Sequence, residues 1–270
     1  MLKSIRCTIL DMRKDLKTAF NSEGERANLA SRGKLKELRK TYSKNFPEIP
    51  DLNTPKLWDK LNKRDHIDSS QPMAFNKLSI ISKFIPNEPI RVLNAACGPG
   101  DLEHFIFTKQ KKNELKWYGI DISSKSIKTC KNEFKRAEFS IGNVRKLEFK
   151  DSLFDIIVAL EILEHIVPRD TFEVLGEFYR VLKKGGRLIV SIPLNEGLEK
   201  MIKRGENPNA HVRVYSPELI RVELRMANFE VEKSDFLYAF PNAYWLKSFI
   251  AKYILKDFRK PNGIVIIAKK

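Results

Sequence analysis

Asp121, Gly98 and Gly100 are the first positions in this chain whose type and spacing could do chemistry. The stretch Val92-Leu93-Asn94-Ala95-Ala96-Cys97-Gly98-Pro99-Gly100 runs from an apolar strand pattern into a glycine turn, and Asp101 opens a helix pattern with Leu102, Phe105 and Ile106. Strand, glycine turn and helix start bring backbone close to a bound ligand. Twenty-one positions after Gly100, a second apolar run, Trp117-Tyr118-Gly119-Ile120, ends in Asp121. An acid there can accept hydrogen bonds from both ribose hydroxyls of a nucleoside cofactor. The third glycine of a pyrophosphate cradle is missing, because Glu103 stands at that position. That favours a nucleoside without phosphates over a dinucleotide.

These residues need an alternating framework to hold them. From about residue 89 the pattern predicts strands near 91–95, 116–121, 137–141, 154–160 and 186–192, with helices near 101–111, 124–134 and 170–182. Phe154-Asp155-Ile156-Ile157-Val158-Ala159-Leu160 is nearly all apolar, as a central parallel strand should be. Lys183-Lys184-Gly185-Gly186 reads as a helix end with cations and a left-handed glycine cap. A polar segment from Pro193 to about residue 215 is too long for a plain connection and reads as a lid. Ser216-Pro217-Glu218 then opens a helix. A strand near 229–235, an amphipathic helix over 245–258 and a strand over 263–268 close the chain. Upstream, residues 1–45 read as charged helix, with Met12, Leu16 and Phe20 on one stripe and Leu35 and Leu38 on another. Residues 46–56 carry three prolines and read as a linker, after which Trp58 and Leu61 dock a short helix. A further helix stops before Pro86.

Together these residues resemble the class I S-adenosylmethionine-dependent methyltransferases. The counterparts of the family pattern are Val92 to Gly100, Asp121, Gly142-Asn143-Val144, Leu160-Glu161-Ile162-Leu163-Glu164-His165 and Leu182-Lys183-Lys184-Gly185-Gly186. The resemblance implies an α/β fold: a Rossmann-like, doubly wound, seven-stranded, mostly parallel sheet with an N-terminal helical extension and a lid insertion. It divides the chain into an N-terminal extension or cap over 1–88, a cofactor-binding core over 89–195, and lid, substrate-side helices and closing strands over 196–270.

By the same resemblance S-adenosylmethionine is the cofactor. Ala96, Gly98 and Gly100 contact its methionine and ribose parts through backbone, and Asp121 takes the ribose hydroxyls. Ile122 and Val144 flank the adenine, Asn143 meets its amino group, and Leu160 and Glu161 lie beside the methionyl end. Three positions depart from the pattern: Asn94 and Asn143 replace acids, and Ala96 replaces the first glycine of the turn. An asparagine carbonyl still accepts from an amine, and alanine fits if its φ is negative.

His165, just beyond the fourth strand, is the expected general base, since imidazole titrates near neutral pH; His211 joins it from the lid. Glu161, Glu164, His165 and His211 also resemble the metal set of small-RNA 3′-end 2′-O-methyltransferases, and such donors could hold Mg²⁺ or Mn²⁺ against vicinal hydroxyls. Because Glu-His after this strand is common in metal-free relatives, the expectation is no metal.

The composition bounds partners. The chain has 270 residues, 42% hydrophobic and 31% charged, with a net charge of +16 and three scattered cysteines, Cys7, Cys97 and Cys130. That fits a globular protein of a reducing, cytoplasmic compartment without a structural zinc set, and Cys97 reads as a packed turn residue. Residues 1–45 hold 12 Lys/Arg against 5 Asp/Glu, yet the excess is spread along the chain. The expected acceptor is a small molecule methylated at oxygen; the apolar 245–258 helix admits a quinone-like or lipid-linked acceptor, a glycan being the polar variant. The same helix, amphipathic with lysines at its edge, also suits a peripheral membrane-surface contact. An RNA acceptor and a degenerate cofactor-binding protein without catalysis are the rival readings. Oligomeric state is not legible.

Overall fold

A computed structural model describes residues 39, 42–46, 50–61, 71–195, 197–255 and 259–270 of the chain. Of the charged helix read over 1–45, residues 1–38, 40 and 41, Cys7 among them, lie outside the described residues.

Helix α1 (Pro55–Leu61) emerges from the proline-rich stretch, and α2 (Pro72–Lys83) stops, as its sequence predicts, before Pro86. The sheet begins with β1 (Arg91–Ala95); α3 (Asp101–His104) follows and widens into a π-helical turn over Phe105–Lys109. Then come β2 (Lys116–Asp121), α4 (Ser124–Glu133), β3 (Glu138–Ile141), β4 (Phe154–Leu160) and α5 (Thr171–Val181). β5 (Leu182–Pro193), α6 (Leu198–Lys203), α7 (Pro217–Met226), β6 (Glu230–Leu237), α8 (Tyr244–Phe249) and β7 (Gly263–Lys269) complete the order. Ser123 caps α4 by accepting from Ser126 N, and Ser216 caps α7 by accepting from Leu219 N.

The seven strands stand in the order β3-β2-β1-β4-β5-β7-β6. β7 runs antiparallel to β5 and β6, and the remaining pairs are parallel. The chain leaves β3 at one edge and re-enters beside β1 as β4, so the strand order reverses between β1 and β4. Beyond the carboxyl ends of that pair lies the crevice where open α/β sheets bind ligands. One face of the sheet buries Leu93, Ile157, Val190 and Ile266 with Leu175, Phe178 and Ile220 of α5 and α7. The other buries Val92, Val158 and Ile189 with Ile81 of α2, Leu102 of α3 and Ile127 of α4. Helices on both faces explain why β4 and β7 are nearly all apolar.

Two local expectations change. Lys183–Gly186 is not a helix end: α5 stops at Val181, with Leu182 already extended, and Gly185 at φ +77 sits inside β5 where the pairing with β4 shifts between Phe154 and Ile156. Glycine and cations suit a bulge as well as a cap, and the local signal does not separate them. The segment read as a lid contains α6 and then folds inward: Ala210, His211, Val212, Arg213 and Tyr215 are buried, and Leu194 bridges to Tyr215 in parallel. Arg213 bonds Tyr215 and Glu223 inside, while Lys200, Arg204 and Glu206 of the same segment are exposed.

Candidate active site

The glycine turn is fixed by its neighbour strand. Cys97 N donates to Ile120 O at 2.9 Å, and Gly98 N donates to Asp121 Oδ2 at 2.9 Å. Asp121 Oδ1 accepts from Ser123 N at 2.7 Å. Burial raises the carboxyl's pKa and these two backbone donors oppose that, while Asp59 adds repulsion. A side chain at Gly98 would meet no atom within 4 Å, so the space above the turn is open. At Gly100, φ is +100 and a Cβ would lie 2.6 Å from Phe134, so only glycine fits there. Cys97 is buried in this turn, as expected of a packed residue.

Ala96 contradicts the expectation of negative φ: it stands at +65, in the left-handed region. The family's glycine position thus keeps its glycine-like conformation here, with alanine tolerating it. Asn94 turns away from the crevice. Its Nδ2 donates to Glu103 Oε1 at 2.9 Å, and Trp117 Nε1 donates to the same oxygen at 2.9 Å. An aspartate at 94 would set a second carboxylate against Glu103, which is fully buried; here the acid of this network stands at 103. Burial pushes Glu103 up to about 7. Asn143 is exposed on the turn after β3, its Oδ1 accepting from Arg145 N at 3.0 Å, while Val144 is buried and Ile122 half-buried. Gly142 N donates to Asp121 O at 3.0 Å, so this turn adjoins the end of β2.

At the other end of the crevice, β4 delivers Leu160 and Glu161. Glu161 has φ +49, an outlier of the kind that gathers at functional sites. Its Oε1 accepts from Ser191 Oγ at 2.6 Å and from Lys77 Nζ at 3.2 Å. Burial works to raise its pKa, but Lys77 and Ser191 prevail and hold it below the usual carboxylate range. One turn further, Glu164, His165 and His211 meet. Glu164 Oε1 lies 4.0 Å from Nε2 of each imidazole. The two rings have centroids 4.7 Å apart, and the three donor atoms all fall within 4.8 Å of one another. Nδ1 of His165 faces Ala210 O at 3.3 Å, which turns Nε2 toward the cluster. Burial, with repulsion from His211, pushes His165 down to about 4. The near-neutral titration expected of it does not hold; desolvation keeps the ring neutral at physiological pH.

Several residues that build the site were not legible as site residues in the linear sequence. Trp58 of α1 packs edge-on against His165 at 4.8 Å. The next residue, Asp59, accepts from Ser123 Oγ at 2.7 Å and Lys125 N at 3.2 Å. α1 therefore spans the crevice from the β2 end to the β4 end. Below His211, Arg213 Nη1 donates to Glu223 Oε1 at 2.8 Å and Tyr215 OH to Glu223 Oε2 at 2.9 Å, while Tyr42 OH also bonds Glu223. This buried network anchors the strand-like segment that carries His211. Only the capping Ser216-Pro217 between its partners was visible in sequence.

A switch-point crevice, an acid closing β2 and a glycine turn bonded to it define a nucleoside-binding α/β protein. A family profile described as "Methyltransferase domain" matches residues 86–243. The chain is 28% identical over 169 residues to the 27-O-demethylrifamycin SV methyltransferase of Amycolatopsis mediterranei, covering 58% of this chain and 60% of that one. It is 26% identical over 230 residues to an uncharacterized protein of Methanocaldococcus jannaschii, covering 84% and 90%. The [4+2]-cyclase SpnF has a similar fold, with a TM-score of 0.60 at 18% identity over 83% of this chain and 99% of that one. The chain belongs to the class I S-adenosylmethionine-dependent methyltransferase family, and its cofactor is S-adenosylmethionine. Among the described residues no helix is long and apolar enough to cross a membrane.

Proposed function

We propose that this protein transfers the methyl group of S-adenosylmethionine to an oxygen of a small-molecule acceptor. The observation that carries the reading is the pairing of two half-sites across one crevice: Asp121 with the Gly98 turn, and Glu161 with the His165–His211 pair. Asp121 would take the ribose hydroxyls, since each of its oxygens keeps accepting capacity beyond its one backbone donor. Ala96, Gly98 and Gly100 would present backbone to the ribose and methionine parts, with Ile122 and Val144 against the adenine. The Asn143 amide would meet the adenine edge, its carbonyl shared with Arg145 N. Leu160 and Glu161 would face the methionyl end, where an anion suits the α-ammonium.

The cofactor supplies a methyl group already activated on a sulfonium. The acceptor oxygen forms the new C–O bond as the S–C pair returns to sulfur, and the hydroxyl proton needs a base. His211 would take that proton, with Glu164 4.0 Å away to stabilise the imidazolium. His165, neutral at pH 7, shapes the pocket and orients the acceptor. α1 excludes water from above, with Trp58 over His165. The oxygen acceptor draws support from the relative named as a 27-O-demethylrifamycin SV methyltransferase.

A second reading is favoured by the closeness of Glu164, His165 and His211. Two imidazoles and a carboxylate suit a divalent transition metal, which could bind the acceptor oxygen and lower its pKa. The test is transfer of labelled methyl from S-adenosylmethionine to a panel of hydroxylated apolar compounds, with and without EDTA. The proton-transfer reading predicts turnover that EDTA leaves unchanged and that His211→Ala lowers by about 10²- to 10⁴-fold. Loss with EDTA and recovery with Mn²⁺ would replace it by the metal reading. Turnover confined to RNA, or none on any acceptor class despite cofactor binding, would refute the small-molecule acceptor.

A further inference from the structure

The aromatic side of the helix read over 245–258 turns away from the core. In α8 and the π-helical turn Ile250–Ile254 that continues it, the inward positions are Tyr244, Ser248 and Ala251, all buried. The outward positions are large and apolar: Trp245 57% exposed, Leu246 63%, Phe249 53%, Tyr253 65% and Ile254 62%. Among the described residues ten large hydrophobics are exposed, and six of them, Leu255 included, fall in this one segment. Single exposed hydrophobics need no explanation, but a contiguous set does.

Two further observations say what covers it. Residues 244–260 contain five cations (Lys247, Lys252, Lys256, Arg259, Lys260) and one anion, Asp257. Among the described cations Lys247 and Lys260 are exposed, while Lys252 pairs with Asp235 at 2.6 Å and Arg259 lies over the Phe240 ring at 4.6 Å. An outward apolar face holding Trp and Tyr beside exposed cations has the composition of an interfacial helix on anionic lipid. The face is also tied to the crevice through three successive residues of α2. Phe75 packs edge-on with Trp245 at 6.5 Å, Asn76 Nδ2 donates to Tyr244 OH at 3.0 Å, and Lys77 reaches Glu161.

We propose that this face docks on an anionic membrane surface and holds the mouth of the crevice against the bilayer. The docking depends on the surface alone and not on which atom is methylated.

Co-sedimentation of the full chain with vesicles of phosphatidylcholine, alone or mixed with phosphatidylglycerol, tests this. The comparison is a variant carrying Trp245→Ser, Phe249→Ser and Tyr253→Ser. These side chains are exposed, so the variant should fold, and its retained titration with S-adenosylhomocysteine reports that independently of docking. Wild type should bind the anionic vesicles better than the neutral ones, with a blue shift of the Trp245 emission. The variant should lose about ten-fold or more in vesicle affinity. Wild type remaining in the supernatant with both vesicles would overturn the proposal. So would equal binding by the variant, which would trace adsorption to net charge. A wild-type dimer that the variant breaks, without lipid binding, would make the face a contact between two copies and equally overturn it.

Discussion

Glu103 and His165 are both buried; near pH 7 the first is about half-ionised and the second neutral, and they tie stability to pH in opposite senses. Glu103 is pushed up to about 7 from an ordinary 4.5. Its contribution is fully present below pH 4.5 and is lost as pH rises through about 7. His165 is pushed down to about 4 from an ordinary 6.5. Its contribution is present above pH 6.5 and is lost as pH falls through about 4. Each shift corresponds to about 3 kcal/mol at most. Urea unfolding across this range should therefore show Glu103→Gln gaining on wild type by about 3 kcal/mol as pH rises from 4.5 to 7. His165→Asn should gain on wild type as pH falls from 6.5 to 4; parallel curves in either comparison would contradict the account. Ala96 makes a second residue-scale prediction. A left-handed alanine costs about 1–2 kcal/mol and glycine's extra chain entropy about 0.5–1. Ala96→Gly should raise the melting temperature by about 2–4 °C, where a drop would mean that the methyl packs usefully. The identities of Asp121, Gly98 and Gly100 were legible because a nucleoside site needs those types at that spacing. The sign of φ at Ala96 was not, since a methyl group in place of hydrogen carries no record of the backbone beneath it.

At the scale of elements, the site depends on two pieces outside the sheet. α1 roofs the crevice through Trp58 and Asp59, and the 207–215 segment walls it through His211. The wall is held by a buried ion pair: the side chains of Arg213 and Glu223 are 3% and 0% exposed. Removing one partner of such a pair strands the other, at about 3–5 kcal/mol. Glu223→Gln should destabilise the fold by that amount in urea unfolding and weaken turnover at His211 more than cofactor binding at Asp121. A loss under about 1 kcal/mol would mean that water reaches the pair. Strands and caps were legible because periodicity and Ser-Pro starts are local signals. Lys77 against Glu161, and Arg213 against Glu223, were not, because pairings across chain distance leave no period behind. The direction in which α8 turns its apolar side was left open for a related reason: amphipathicity shows that a helix has such a side, not where it faces.

For the whole molecule, strand order and switch point follow from the alternating pattern and the right-handed crossover rule, and the structure bears out the doubly wound sheet. What the fold leaves open is chemistry, as its likeness to a cyclase makes plain. The central claim is that one crevice holds S-adenosylmethionine through Asp121 and works on an acceptor beside His211. Calorimetric titration of S-adenosylhomocysteine into wild type and Asp121→Ala tests it most directly. The account predicts micromolar binding by wild type, and a loss of about a hundred-fold or more in the variant from two hydrogen bonds to a charged acceptor. Equal affinity in both, or no binding by the folded wild type, would contradict it.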